Sequence, residues 1–203
     1  MRTVVSWLLM VLAGSAGAQE MQAVSSAALS AIQAEPLATP IAGANHGDVT
    51  VVEYFDYNCP GCRHLEPQLR KLIAADSNVR LIRKDWPIFG ETSTYAAYCS
   101  FAAAGNGQYA AVHDALIGSK KDLDSKEDVQ QVLRDAGFDV KRIDADIALH
   151  QAEYAAVLAR NQREAGELGL RGTPGLIVGH QRVPGSLDSV QLERLVARAR
   201  QAP

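Results

Sequence analysis

The chain is poor in cysteine, with three in 203 residues, and it lacks long apolar runs. Three cysteines cannot build a disulfide framework, and one pair with an odd member reads as a redox site. The chain has no second C-x-x-C and no His-x-His cluster, which argues against a closed metal site on the one C-x-x-C it does have. It has no basic tract, and 20 basic against 23 acidic residues leave a formal charge of −3. Nucleic acid and anionic membrane are therefore poor partners. No stretch reaches the ~20 apolar residues needed to span a bilayer, so no membrane insertion is expected. No internal repeat is visible.

The N-terminus is a targeting segment. Arg2 is a minimal charged start, residues 4–12 are apolar, and Ala16-Gly17-Ala18 fits the small-residue rule for cleavage before Gln19. Residues 1–18 are thus expected to be a signal peptide, and the protein to be periplasmic, where disulfides persist. The remaining length suits one generous domain, or a core domain with an insertion.

Residues 19–44 read as a helical extension and linker. Met21, Val24, Ala28 and Ala31 stand at near-heptad spacing, with Leu29 and Ile32 beside them, before Pro36 and Pro40. Such a helix packs on its own domain or pairs with a second copy, giving a homodimer or higher oligomer through residues 20–35. Residues 43–47 read as a polar turn. Residues 49–55 are β-branched and aromatic, which predicts a buried strand. Residues 60–75 predict a helix with a kink at Pro67, and residues 79–84 a second, parallel strand. From 92 to 170 the pattern is helical. Ser125 and Asp128 resemble a capping box, and Asp139 starts another helix. Residues 175–179 and 181–183 predict an antiparallel pair, and Ser186 a cap for the last helix. The expected domains are residues 45–90 and 171–203, two halves of one α/β unit, with a helical insertion at 91–170.

The motif Cys59-Pro60-Gly61-Cys62 closes the first strand and opens the helix after it. A cysteine at a helix N-terminus meets unpaired N–H groups and the positive end of the dipole, which favour thiolate. Cys59 is therefore the nucleophile, and Cys62, one turn deeper, the resolving thiol. Pro60 suits the first helical position because its missing N–H has no role there. Gly61 leaves the sulfur open. A rival reading is a thiol module that binds Cu(I) through the same pair. Cys99 reads as a buried free thiol and His113 as a structural histidine.

Residues 55–62, Phe-Asp-Tyr-Asn-Cys-Pro-Gly-Cys, together with Arg171-Gly172-Thr173-Pro174-Gly175 and the helical block between them, resemble the DsbA-like thioredoxin superfamily, most closely its ScsC-type branch. The resemblance implies a thioredoxin fold, a four-stranded mixed sheet with flanking helices, carrying an inserted helical domain. It implies disulfide exchange with exported proteins bearing thiols or disulfides, and a separate redox partner that resets the pair. No organic cofactor or metal is implied. Thr173-Pro174 matches the family's cis-proline loop, whose backbone receives an extended substrate. Glu53 matches a buried acid behind the active site, and Lys84 is placed to pair with it; a charge on the strand's wet face is the alternative for Glu53. DsbA has histidine where this chain has Gly61. The pKa of Cys59 is therefore expected nearer the ~7 of thioredoxin than the ~3.5 of DsbA. Threonine before the proline tilts the reading toward isomerase or reductase roles.

Overall fold

The structure is a computed structural model that describes residues 23–33, 41–44 and 46–201. The expected signal peptide and Met21 lie outside these residues. The elements run α1 (Ser26–Gln33), β1 (Ile41–Gly43), β2 (Val49–Phe55), α2 (Pro60–Ala75), β3 (Val79–Asp85), α3 (Glu91–Ala104), α4 (Tyr109–Ile117), α5 (Lys126–Asp135), α6 (Val140–Glu167), β4 (Gly175–Val178), β5 (Gln181–Pro184) and α7 (Ser189–Gln201).

Five strands form one mixed sheet in the order β1-β3-β2-β4-β5. β2 and β3 are parallel, joined by α2, and the other pairings are antiparallel. The sheet corrects the expected four strands. β1 adds a short edge inside the segment read as linker, and it ends at Gly43 with φ 73°. A Cβ there would come within 2.5 Å of the Val79 carbonyl, so glycine lets β1 leave the sheet close against β3.

The alternation of β2 divides the core. Val49 and Val51 face α2 and α7, packing with Leu65, Leu69, Leu192 and Val196. Val52 and Tyr54 face the other way, onto Leu29 and Ile32 of α1 and Ala165 of α6. Leu29 and Ile32 of α1 are thus spent on the chain's own sheet, and Val24 just before the helix donates its N–H to the His180 carbonyl at 2.7 Å. This removes Val24, Leu29 and Ile32 as the face of a pairing helix.

The block α3–α6 lies between β3 and β4, and its core, built on Cys99, Val112, Leu116, Val129, Leu133 and Ile143, runs on into Phe55, Tyr57, Cys59 and Cys62. The Ser125–Asp128 capping box is present, and Asp139 caps α6. The last helix departs from expectation. Asp188, not Ser186, accepts the Gln191 N–H at 2.8 Å, so the cap sits at the residue whose carboxylate reaches the third helical position.

Candidate active site

α2 begins where β2 ends, and Cys59 is its N-cap, in extended conformation at φ −78° and ψ 116°. Pro60 occupies the first turn. The Cys62 N–H donates to Cys59 Sγ at 3.4 Å, and the Cys59 thiol donates to the Thr173 carbonyl at 3.1 Å. The Thr173–Pro174 peptide is cis. It lies against Gly61, where a Cβ would stand 2.9 Å from Pro174 Cδ and 3.7 Å from Cys59 Sγ. Gly61 therefore does more than leave the sulfur open: it lets the cysteine loop and the proline loop touch. The Thr173 Oγ1 hydroxyl is buried with no partner among the described residues.

The two sulfurs sit in opposite electrostatic settings. The Cys62 thiol hydrogen bond, contacts with Thr173 and the N–H groups of Cys62 and Gly61 bring Cys59 down to about 6, against the cost of burial. Burial, the Cys59 bond and the charge of Glu53 push Cys62 well above the ordinary thiol range. One sulfur is a ready thiolate near neutral pH and the other keeps its proton, the division that attack followed by resolution requires. The three cysteines are free in this structure.

Glu53 is buried, and burial raises its carboxyl to about 8, opposed mainly by the charge of Arg83. Its Oε2 has no partner among the described residues. Lys84 does not pair with it. The parallel register sets Glu53 beside Arg83 and Tyr54 beside Lys84, so Lys84 points to the opposite face. There its Nζ lies 3.1 Å from Glu164, which also accepts from the Tyr54 hydroxyl at 3.1 Å. Strand alternation separates the two residues that the sequence reading joined.

Arg83 is held by another acid. Its Nη2 donates to both oxygens of Glu66, at 2.9 and 3.1 Å. Glu66 also accepts from Arg70 at 2.8 Å and lies 3.4 Å from His113 Nε2. Burial works to raise Glu66, but the His113 bond and the charge of Arg83 outweigh it and bring the group down to about 2. Burial lowers His113, whose Nδ1 meets the Tyr57 hydroxyl at 3.2 Å. Glu66, His113 and Asp114 bring ligand atoms within 4.8 Å of one another. The guanidinium groups of Arg83 and Arg70 already neutralise the two acids, so the cluster is a closed ion-pair network and not a cation site.

Sequence reading missed Arg83, Glu66 and Asp56. Arg83 was legible in principle, since it stands one residue from Lys84 and alternation fixes which of the two shares a face with Leu81. Glu66 was legible as the residue one helical turn beyond Cys62.

A family model described as a DSBA-like thioredoxin domain matches residues 50–197. A thioredoxin-like oxidoreductase from Silicibacter pomeroyi superposes with a TM-score of 0.79 at 39% identity, covering 85% of this chain and 97% of that one. A periplasmic thioredoxin-like protein from Salmonella enterica serovar Typhimurium superposes with a TM-score of 0.72 at 26% identity, covering 89% and 100%. Among curated relatives, the Na(+)/H(+) antiporter NhaA 3 of Salinispora tropica is 26% identical over 170 residues, 83% of this chain. The chain spans about a quarter of that relative's length, 26%. Among the described residues no helix is long and apolar enough to cross a membrane.

Proposed function

The chain belongs to the DSBA-like thioredoxin domain family, and from that premise we propose that it is an exported, periplasmic oxidoreductase that exchanges disulfides with proteins through Cys59 and Cys62. The observation that carries this reading is the opposed setting of the two sulfurs, with Cys59 at about 6 and Cys62 far above. In the oxidase direction, a substrate thiolate attacks Cys59 Sγ of the Cys59–Cys62 disulfide. The S–S bond breaks, and Cys62 leaves as thiolate and takes up a proton. A second substrate thiolate then attacks the substrate sulfur of the mixed disulfide and expels Cys59 as thiolate. In the reductase or isomerase direction, Cys59 thiolate attacks a substrate disulfide, and Cys62, once deprotonated, resolves the mixed disulfide. Glu53, neutral below about pH 8 and close enough to Cys62 to feel its charge, is the group that gives or takes that proton.

The Thr173 carbonyl, already within reach of Cys59 Sγ, and the cis-proline beside it form the edge that aligns an extended substrate segment. Export is supported by the charged, apolar and small-residue order of residues 1–18 and by the periplasmic description of the Salmonella relative. The redox state of the pair is reset by a thiol–disulfide partner. The cheapest test is reduction of insulin by dithiothreitol. Wild type is expected to accelerate it and Cys59→Ser to fall to the uncatalysed rate. Equal rates for the two proteins would overturn the assignment, and stoichiometric Cu(I) binding by an inactive wild type would replace it with the copper-binding reading.

A further inference from the structure

Asp56 stands three residues before Cys59 and is 2% exposed. Its side chain gathers three backbone donors. Oδ1 accepts from the Asn58 N–H at 2.7 Å, and Oδ2 accepts from Ile88 at 2.7 Å and Phe89 at 3.0 Å. Its main chain takes part as well, the carbonyl accepting the Cys59 N–H at 3.1 Å. One residue thus ties the turn that delivers Cys59 to the loop that follows β3. The turn is fastened on its other side by Asn58, whose Nδ2 donates to Ser93 Oγ at 3.2 Å and to the Leu123 carbonyl at 3.0 Å.

We propose that Asp56 is a positioning residue for Cys59: its carboxylate holds the 56–59 turn and the 86–89 loop as one rigid frame, and the frame sets Cys59 against the first N–H groups of α2. The proposal rests on Cys59 being the reactive thiol. The chemistry demands an acceptor-only group here. An asparagine has a single acceptor oxygen, and its NH₂ would face backbone N–H groups on one side or the other. The side chain–backbone bond from Asp56 to Asn58 spans two residues, the local turn in which aspartate competes best. Losing it frees Tyr57 and Asn58, and with them the extended N-cap geometry on which the bonds to Cys59 Sγ depend.

The direction of the effect separates positioning from charge. Asp56→Asn removes a negative charge close to Cys59, which by Coulomb's law alone lowers a thiol pKa. Loss of positioning raises it. The titratable and charged groups around the frame are Cys62 on α2, Arg63 on α2, whose Nε donates to the Tyr57 carbonyl at 2.8 Å, Glu53 on β2, Asp85 on β3 and His113 on α4, whose Nδ1 meets the Tyr57 hydroxyl, and the substitution leaves all of them in place.

The experiment is the rate of Cys59 alkylation by iodoacetamide against pH, in reduced wild type, Asp56→Asn and Ile88→Pro, with mass spectrometry to assign the labelled cysteine. For Asp56→Asn the midpoint is expected to rise by about one pH unit. The rate then falls about tenfold well below the midpoint and is unchanged at high pH, where both thiols are ionised. Ile88→Pro, at an exposed position, removes one donor to Oδ2 and leaves Asp56 intact; its midpoint is expected to rise by less. Labelling of the buried Cys99 reports unfolding separately. An Asp56→Asn midpoint that stays or falls overturns the proposal. If that variant is unfolded, an Ile88→Pro profile that superimposes on wild type does the same. Disulfide exchange by wild type is scored independently in the insulin assay, so failure of the functional reading and failure of this one are told apart.

Discussion

Glu53 sits among Arg83, Glu66, Asp85 and the two active-site sulfurs, and burial holds its carboxyl up to about 8 against the 4.5 of an exposed glutamate. Because the folded state keeps the proton longer than the unfolded chain, this group favours the fold most at low pH. Its contribution is lost progressively as pH rises from about 4.5 to about 8. Arg83 could have cancelled the effect by pairing with Glu53. Its guanidinium is instead engaged by Glu66, which takes two bonds from Nη2. Glu53→Gln keeps the size and stays neutral at every pH. It is expected to gain on wild type by roughly 2–4 kcal/mol between pH 5 and pH 9, since a tenfold change in proton affinity between folded and unfolded chain is worth ~1.4 kcal/mol. Urea unfolding at the two pH values measures this, and a wild-type-to-variant difference that does not change with pH would contradict it.

α1 is the element whose partner the sequence left open, and the structure seats it on the sheet face of Val52, Tyr54 and Ile177. Leu29 is 8% and Ile32 2% exposed, so truncating either to alanine removes buried methyl groups and leaves a gap against the strands. Each single substitution is expected to cost about 2–4 kcal/mol, read as a lower midpoint in urea with an unchanged slope. A cost below about 0.5 kcal/mol for both would mean that the face contributes little. The elements that could be read from sequence are those whose signals are local. The β2–α2–β3 unit follows from a β-branched and aromatic run followed by helical spacing, and the start of α5 follows from the Ser125–Asp128 box. The elements that could not be read depend on long-range pairing. β1 has three residues and exists because Ile41, Ala42 and Gly43 find Ile82, Leu81 and Arg80 some forty residues later. The misplacement of Lys84 has the same origin. Its type and position suggested a partner for Glu53, but only the register reveals that a displacement of one residue turns it to the α1 and α6 side. Cys59 and Cys62 were legible because their chemistry is carried by spacing alone, whereas Asp56 acts through backbone donors from a loop that no spacing announces.

The sheet and the helical block are joined by a buried carboxyl at the end of β3. Asp85 accepts from the Tyr109 hydroxyl of α4 at 3.0 Å and from Ser100 of α3 at 3.4 Å, and its carbonyl accepts from Asn161 of α6 at 2.9 Å. One residue thus meets three of the four inserted helices. Burial raises its carboxyl to about 7; the bonds from Tyr109 and Ser100 oppose the rise, and the charge of Asp56 adds to it. The junction is therefore sensitive to pH. The ordinary aspartate value is 3.8, so the folded state binds the extra proton between about 3.8 and about 7, and the stability from this group falls as pH rises through that window. His113, facing Glu66 and Tyr57 from α4, works the other way. Burial lowers it, so the stability it contributes is lost as pH falls through and below its ordinary 6.5. The wild-type curve is thus a compromise in which Asp85 and Glu53 oppose His113, and Asp85→Asn removes one of the three. Asparagine offers the oxygen and the donor of a protonated carboxyl at nearly the same size, and it cannot ionise. The variant is expected to lie close to wild type at pH 4, to gain roughly 2–4 kcal/mol by pH 7, and to keep that gap at pH 8. Its own stability should then fall less steeply with pH than that of wild type, because of the two carboxyls that oppose His113 only Glu53 is left. Urea midpoints at half-unit pH intervals read both curves; a gap between the two proteins that is constant from pH 4 to pH 8 would rule out Asp85 as the titrating link between sheet and block.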